Sequence, residues 1–227
     1  MMQRVWHGLL RFWANDRGLS IFLGLLVIFI LVLPAFGRTG PRMPLVNDIA
    51  FSALLVSGAL SLSERRWMQR VVPLMAAVAL VIRWAAVTGV ASADLVAWRE
   101  LSTLITLLLF AVVVGSQVYR SGAVTPHRIQ GAVAVYLLLG LTWANAFQLL
   151  YHLRPEAFTG GLDAAALPQT WIYYSFVTLT TTGYGDITPV HPVARSLTIT
   201  EALTGQLYLA ITLARLVALQ VSARKND

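Results

Sequence analysis

Cysteine is absent from all 227 residues, which excludes disulfide staples, thiolate nucleophiles and Cys-ligated metals. Charge is scarce as well: Asp, Glu, Lys and Arg make up 12% of the chain, about half the share found in ordinary soluble domains. The net charge of +7 comes from basic residues scattered at the ends of apolar runs, not gathered in a patch, so it is a topology signal and not a nucleic-acid footprint. His7, His127, His152 and His191 fall in different segments without metal-ligand spacing, and no serine motif or paired intramembrane acids suggest hydrolysis or proton transfer. No cofactor is implied and an enzyme is not expected. There is no internal repeat and no N-x-S/T acceptor, the latter being compatible with a bacterial plasma membrane.

What the chain has in abundance is apolar length: 57% hydrophobic residues and a mean hydropathy of +0.70. A spanning helix takes roughly 20 apolar residues. Six such segments are predicted, Leu19 to Phe36, Leu45 to Leu62, Val71 to Ala91, Trp98 to Tyr119, Ile129 to His152 and Val193 to Val221; a seventh apolar piece, Pro168 to Thr180, is too short to span. Arg4, Arg11 and Arg17, then Arg65, Arg66 and Arg70, then Arg120 and Arg128, then Arg224 and Lys225 all fall on one side of that topology. The positive-inside rule makes that side, with both termini, cytoplasmic. Arg38 and Arg42 run against the trend. The first span is expected to be retained, because its apolar run exceeds a signal-peptide h-region and no clear A-x-A site follows. Ahead of it, Trp6, Leu9, Leu10 and Trp13 share a helical face beside Arg4 and Arg11. Residues 1–18 thus read as an interfacial helix, the alternative being an inward extension of the first span.

The stretch TLTTTGYGDITP, Thr178 to Pro189, stands out between spans five and six. A short apolar helix beginning near Pro168 leads into it, proline suiting a first turn. Irregular backbone at membrane depth is tolerated only where it is buried in protein or lines a watery pathway. Gly183 and Gly185 allow backbone conformations closed to other residues, so that successive carbonyls can point the same way. A line of carbonyls can replace the hydration shell of a cation, and the short helix aims the negative end of its dipole at the place where such a cation would wait.

Thr180-Thr181-Thr182-Gly183-Tyr184-Gly185-Asp186 resembles the selectivity filter of tetrameric potassium channels, usually T-T-V-G-Y-G-D, and the likeness extends from Ile129 to Val221. The resemblance implies that carbonyls of Thr181, Thr182, Gly183 and Tyr184, with Gly185 completing the filter, bind dehydrated K⁺, the transported ion. It implies that the Thr181 hydroxyl completes the innermost site and that Tyr184 points away from the pathway, braced by Tyr173 and Tyr174. Two departures stand out: Thr182 replaces the usual valine and brings a hydroxyl that needs a partner, and Val177 replaces a glutamate found in some members. Asp186 must therefore find another donor, with Tyr173 or water as candidates. One loop cannot enclose a pathway, so the resemblance implies a homotetramer in membrane lipid.

On the sixth span, helical periodicity puts Gln206, Ala210, Leu213 and Val217 on one face and Glu201, Tyr208, Thr212 and Arg215 on the opposite one. Periodicity alone favours the polar stripe as the cavity lining; the resemblance favours the Gln206 face. That face is the expectation, with Glu201 then buried behind the filter and either hydrogen-bonded to the short helix or protonated. Gly205 is a possible hinge or a close-packing glycine. The first four spans match a voltage-sensing half in number and position only, for Leu101 to Tyr119 contains no Arg or Lys. Arg83 is the lone buried cation there, expected to pair with Asp48 or Glu100. The expected fold is an all-α membrane protein: an interfacial segment 1–18, a four-helix domain 19–122 without gating charges, and a pore domain 123–227 with re-entrant helix and filter. The function implied is passive, potassium-selective conduction without strong voltage gating. A nonconducting scaffold or transporter-like protein that keeps a filter-like loop is the alternative.

Overall fold

The computed structural model describes residues 17–32, 43–61, 68–87, 93–120, 124–160 and 168–224. The expected interfacial helix, apart from its last two residues, and Arg38, Arg42, Arg65, Arg66 and Lys225 lie outside them. Helix α1 (Arg17–Val27) continues as a π-helical turn, Ile28–Val32, and is followed by α2 (Met43–Ser61), α3 (Met68–Val87), α4 (Ala93–Val118) and α5 (Pro126–Leu153). Strand β1 (Phe158–Gly160), α6 (Pro168–Leu179), β2 (Ile187–Pro189) and α7 (Pro192–Arg224) complete the chain. Three of the helices, over Leu95–Val118, Pro126–Leu153 and Pro192–Val221, are long and apolar enough to cross a membrane, and Gly18–Val32 and Leu45–Leu60 are shorter apolar helices. The chain is thus mostly helical and compatible with an all-α membrane protein, with one addition to the expected class. Strands β1 and β2 pair antiparallel, Thr159 opposite Thr188.

Local chemistry sets the helix starts. Thr125, in extended conformation, accepts from the Arg128 N–H and is followed by Pro126, so α5 opens with a side-chain cap and a proline whose missing N–H costs nothing there. At α7 the same work is shared by Pro192 and His191, whose Nδ1 accepts from the Val193 N–H at 3.2 Å.

Two packed regions meet along α5. In the first, Phe22 and Leu26 of α1, Leu54 and Leu55 of α2, and Leu107 and Phe110 of α4 are almost fully buried. Gly58 lets α2 approach α4, since a Cβ there would stand 2.3 Å from the Phe110 ring. In the second, Phe147 of α5, Phe158 of β1, and Trp171 and Tyr174 of α6 form an edge-to-face cluster, with centroids 4.9 Å apart for Phe147–Tyr174 and for Phe158–Trp171. Pairs of this geometry contribute about 0.5–1.5 kcal/mol each beyond their area. Together they fix α6 against α5.

Helix α7 is different. Only 11% of its apolar window is buried, against 50% for α5, so most of its apolar surface is left without a partner in a single chain.

Two of the ionic groups buried among the helices are held by named partners. Arg83 binds Asp48 at 2.6 Å and lies over the Phe51 ring at 4.4 Å. Of the two acids expected for it, Asp48 is the partner in the ion pair. Glu100 is occupied elsewhere: Arg99 Nη2 donates to Oε1 at 2.7 Å, Gln148 Nε2 to Oε1 at 3.1 Å and Asn145 Nδ2 to Oε2. That cluster ties α4 to α5.

Candidate functional site

The loop after α6 is organised from the helix end outward. The N–H groups of Thr180, Thr181 and Thr182 donate to the carbonyls of Phe176, Thr178 and Val177 at 3.1, 2.8 and 2.9 Å, so the last turn of the helix is closed by the loop itself. Beyond it φ turns positive at every second residue: Thr181 (58°), Gly183 (59°) and Gly185 (78°). In a strand, carbonyls alternate sides; alternating the sign of φ allows successive carbonyls to face one way. Thr181 is the non-glycine residue in this set, and a β-branched residue at positive φ is a strained conformation that costs roughly 1–3 kcal/mol. Nothing in the threonine's sequence position announced it.

The supporting contacts come next. The extra hydroxyl of Thr182 finds a partner in Thr180 Oγ1 at 2.9 Å, while Thr180 Oγ1 donates to the Phe176 carbonyl at 2.7 Å. Tyr173 stacks parallel to Tyr184, with centroids 6.5 Å apart and 5° between planes, and its hydroxyl is within electrostatic reach of Asp186. Of the two candidates expected to support Asp186, Tyr173 is the one whose side chain lies near it. The brace expected from both tyrosines is divided: Tyr174 packs in the aromatic cluster and shares a hydrogen bond with Thr198 of α7 at 2.8 Å. It steadies the short helix, whereas Tyr173 touches the loop.

On its far side the loop is anchored by the β1–β2 pair, which sequence reasoning missed. Gly160, at φ 116°, sits so close that a Cβ would stand 1.9 Å from the Asp186 carbonyl oxygen. Only glycine fits. The signal available was Phe158-Thr159-Gly160 alone, too little to predict a three-residue strand.

Helix α7 passes behind and below the loop. Its polar stripe faces the protein: Glu201 is fully buried, Thr212 shares a 2.6 Å hydrogen bond with Tyr119, and the Tyr208 hydroxyl donates to the Ala132 carbonyl at 2.7 Å. Arg215 Nη2 lies 3.4 Å from the Tyr119 carbonyl. Gln206, Ala210, Leu213 and Val217 are exposed on the single chain, and Gln206 Nε2 lies 3.4 Å from Thr181 Oγ1. Periodicity alone favoured the polar stripe for the cavity, but those side chains spend their hydrogen bonds inside the subunit. Gly205 touches the end of α6, with a Cβ there 2.3 Å from the Leu179 carbonyl oxygen.

What this arrangement offers is a loop of alternating φ sign at the end of a short helix, braced by Tyr173 and by the β1–β2 pair and leaving an apolar face of α7 open. Among the described residues no group of three or more His, Asp or Glu side chains could hold a metal ion. No curated protein and no solved structure matches the chain. Residues 164–221, from just ahead of α6 to near the end of α7, match the family model described as an ion channel.

Proposed function

We propose that the chain is one subunit of a homotetrameric potassium channel with six membrane-spanning helices, α6 and its loop being re-entrant and both termini cytoplasmic. The observation that carries this reading is the positive φ at Thr181, Gly183 and Gly185 within the run T-T-T-G-Y-G-D. Carbonyls of Thr181, Thr182, Gly183 and Tyr184 would replace the water shell of K⁺, with the Thr181 hydroxyl at the inner end. The sparsely buried apolar surface of α7 supports a fourfold assembly, since a single loop cannot enclose an axis. K⁺ flux into liposomes holding the full-length protein, with Na⁺ and Ba²⁺ controls, is the test. Flux for K⁺ but not Na⁺, blocked by Ba²⁺, is expected; no flux from well-assembled tetramers would favour a nonconducting scaffold.

If the Gln206 face lines the cavity, Ala210→Cys should react with a small water-soluble thiol reagent and lose flux. Thr212→Cys, buried against Tyr119, should do neither. Reaction at 212 and protection at 210 would assign the pathway to the polar stripe.

Voltage should matter little. Moving one charge through 100 mV is worth about 2.3 kcal/mol, and steep gating needs three or four charges per subunit. Helix α4 carries no basic residue in Leu101 to Val118, and Arg83 of α3 is held by Asp48. Open probability recorded from single channels over a wide voltage range is expected to change only weakly. A steep activation curve that flattens in Arg83→Gln would make the first four helices a sensor.

A further inference from the structure

Glu201 lies in the first third of α7, fully buried, with no basic residue in an ion pair to it among the described residues. Its Oε1 is 2.5 Å from Ser175 Oγ of α6, and the same Ser175 oxygen is 2.7 Å from the Gly140 carbonyl of α5. Glu201 Oε2 has no hydrogen-bond partner. The other titratable groups that feel this carboxyl are the Tyr136 hydroxyl on α5 and the Tyr174 hydroxyl on α6. Tyr174 is engaged with Thr198 and the Tyr136 ring stacks on Tyr208.

The protons can be counted. A serine hydroxyl has one hydrogen and can donate once. Two oxygens sit within hydrogen-bond distance of Ser175 Oγ, and the Gly140 carbonyl has no proton to give. If Ser175 donates to a carboxylate, its contact with the Gly140 carbonyl becomes two lone pairs facing each other at 2.7 Å. If Ser175 donates to Gly140, the contact with Glu201 requires a hydrogen supplied by Glu201. Only the second arrangement satisfies both. It also removes the cost of an unpaired carboxylate at membrane depth, leaving a neutral carbonyl oxygen as the one unsatisfied atom.

We infer that Glu201 is a neutral carboxylic acid that donates to Ser175, which in turn donates to the Gly140 carbonyl, forming a hydrogen-bonded tie from α7 through α6 to α5 that positions the loop. The inference deepens the channel reading: Glu201 is a positioning residue, acting on the ion pathway through α6. Ser175 is central to it, being fully buried and two residues from Val177, whose carbonyl accepts from Thr182 and Gly183.

The full-length tetramer in lipid is tested in two ways. Infrared difference spectra between wild type and Glu201→Gln at neutral pH should show a carboxylic-acid carbonyl band present only in wild type. That band should shift in frequency in Ser175→Ala, which keeps the acid and removes its acceptor. Absence of the band, or a carboxylate band in its place, would overturn the inference whether or not the protein conducts. In flux, Glu201→Gln keeps an N–H donor to Ser175 and should stay within about twofold of wild type, whereas Glu201→Ala and Ser175→Ala should each lose about tenfold, the effect of one buried hydrogen bond. Loss in Glu201→Gln as deep as in Glu201→Ala would mean that the charge, not the donor, is used. A wild-type tetramer that shows the acid band but passes no K⁺ would retain the tie and reject the channel.

Discussion

Gly183→Ala is expected to abolish discrimination between K⁺ and Na⁺. The residue sits at φ 59°, where an L-side chain costs roughly 1–2 kcal/mol per residue. Within one subunit no atom lies within 4 Å of the Cβ that alanine would add, so the penalty is one of backbone conformation and not of a clash with the chain's own atoms. Thr181 already holds one strained position at φ 58°, and the loop must then carry a second in every copy of the proposed tetramer. Relaxing φ at 183 rotates the peptide planes on either side of it, including the Thr182 and Gly183 carbonyls that the ion is expected to meet. Fixed carbonyl geometry is what would favour one ion over another. Reversal potentials under bi-ionic conditions read the result directly. Unchanged selectivity in Gly183→Ala would mean that this carbonyl array does not set ion choice, and equal permeability in the unmutated protein would remove the proposal itself.

The legibility of this chain follows the length scale of its signals. Apolar runs of spanning length placed the long helices to within a few residues, because at membrane depth a backbone has few alternatives to helix. The loop was legible because its glycines and its run of threonines occur together at fixed spacing. Two features escaped, and a third was legible only through the resemblance. The β1–β2 pair is too short for period-two alternation to register. The positive φ of Thr181 left no mark in the sequence, since threonine has no preference for that region. The face of α7 that turns inward could not be found from its own hydropathy. In water a polar stripe marks the wet side; here Glu201, Tyr208 and Thr212 are polar because Ser175, the Ala132 carbonyl and Tyr119 await them. The sorting rule of soluble helices fails where a helix's polar side chains find their partners inside the protein.

The buried ionic groups make a similar point. Arg83 had two acids within reach by topology, and sequence gave no reason to choose. The choice follows from what else each acid binds: Glu100 already accepts from Arg99, Asn145 and Gln148, which leaves Asp48 for Arg83. Counting donors around both acids was needed, and that count exists only in three dimensions.

Gly205→Ala should damage the proposed tetramer more than a surface glycine-to-alanine change on a helix ever would. Helix propensity alone predicts a gain of about 1 kcal/mol per subunit. Against it stands a Cβ placed 2.3 Å from the Leu179 carbonyl oxygen and 3.0 Å from Leu179 Cδ1. The side-chain atom can swing away; the carbonyl is backbone, on the last residue of α6, and can yield only if the helix end moves. Overpacking of this kind costs typically 1–3 kcal/mol, which outweighs the propensity gain and is paid in every subunit. The displacement lands on the turn whose Val177 and Thr178 carbonyls close the loop, so stability and ion selectivity should fall together. A hinge predicts something else: alanine would leave the assembled protein stable and the selectivity intact, and alter only how often it opens. Thermal unfolding of the purified tetramer in K⁺ and in Na⁺, set beside bi-ionic reversal potentials, separates the two. A lower melting temperature with a smaller K⁺-induced rise marks a packing glycine, and wild-type melting with a changed open probability would make Gly205 a hinge.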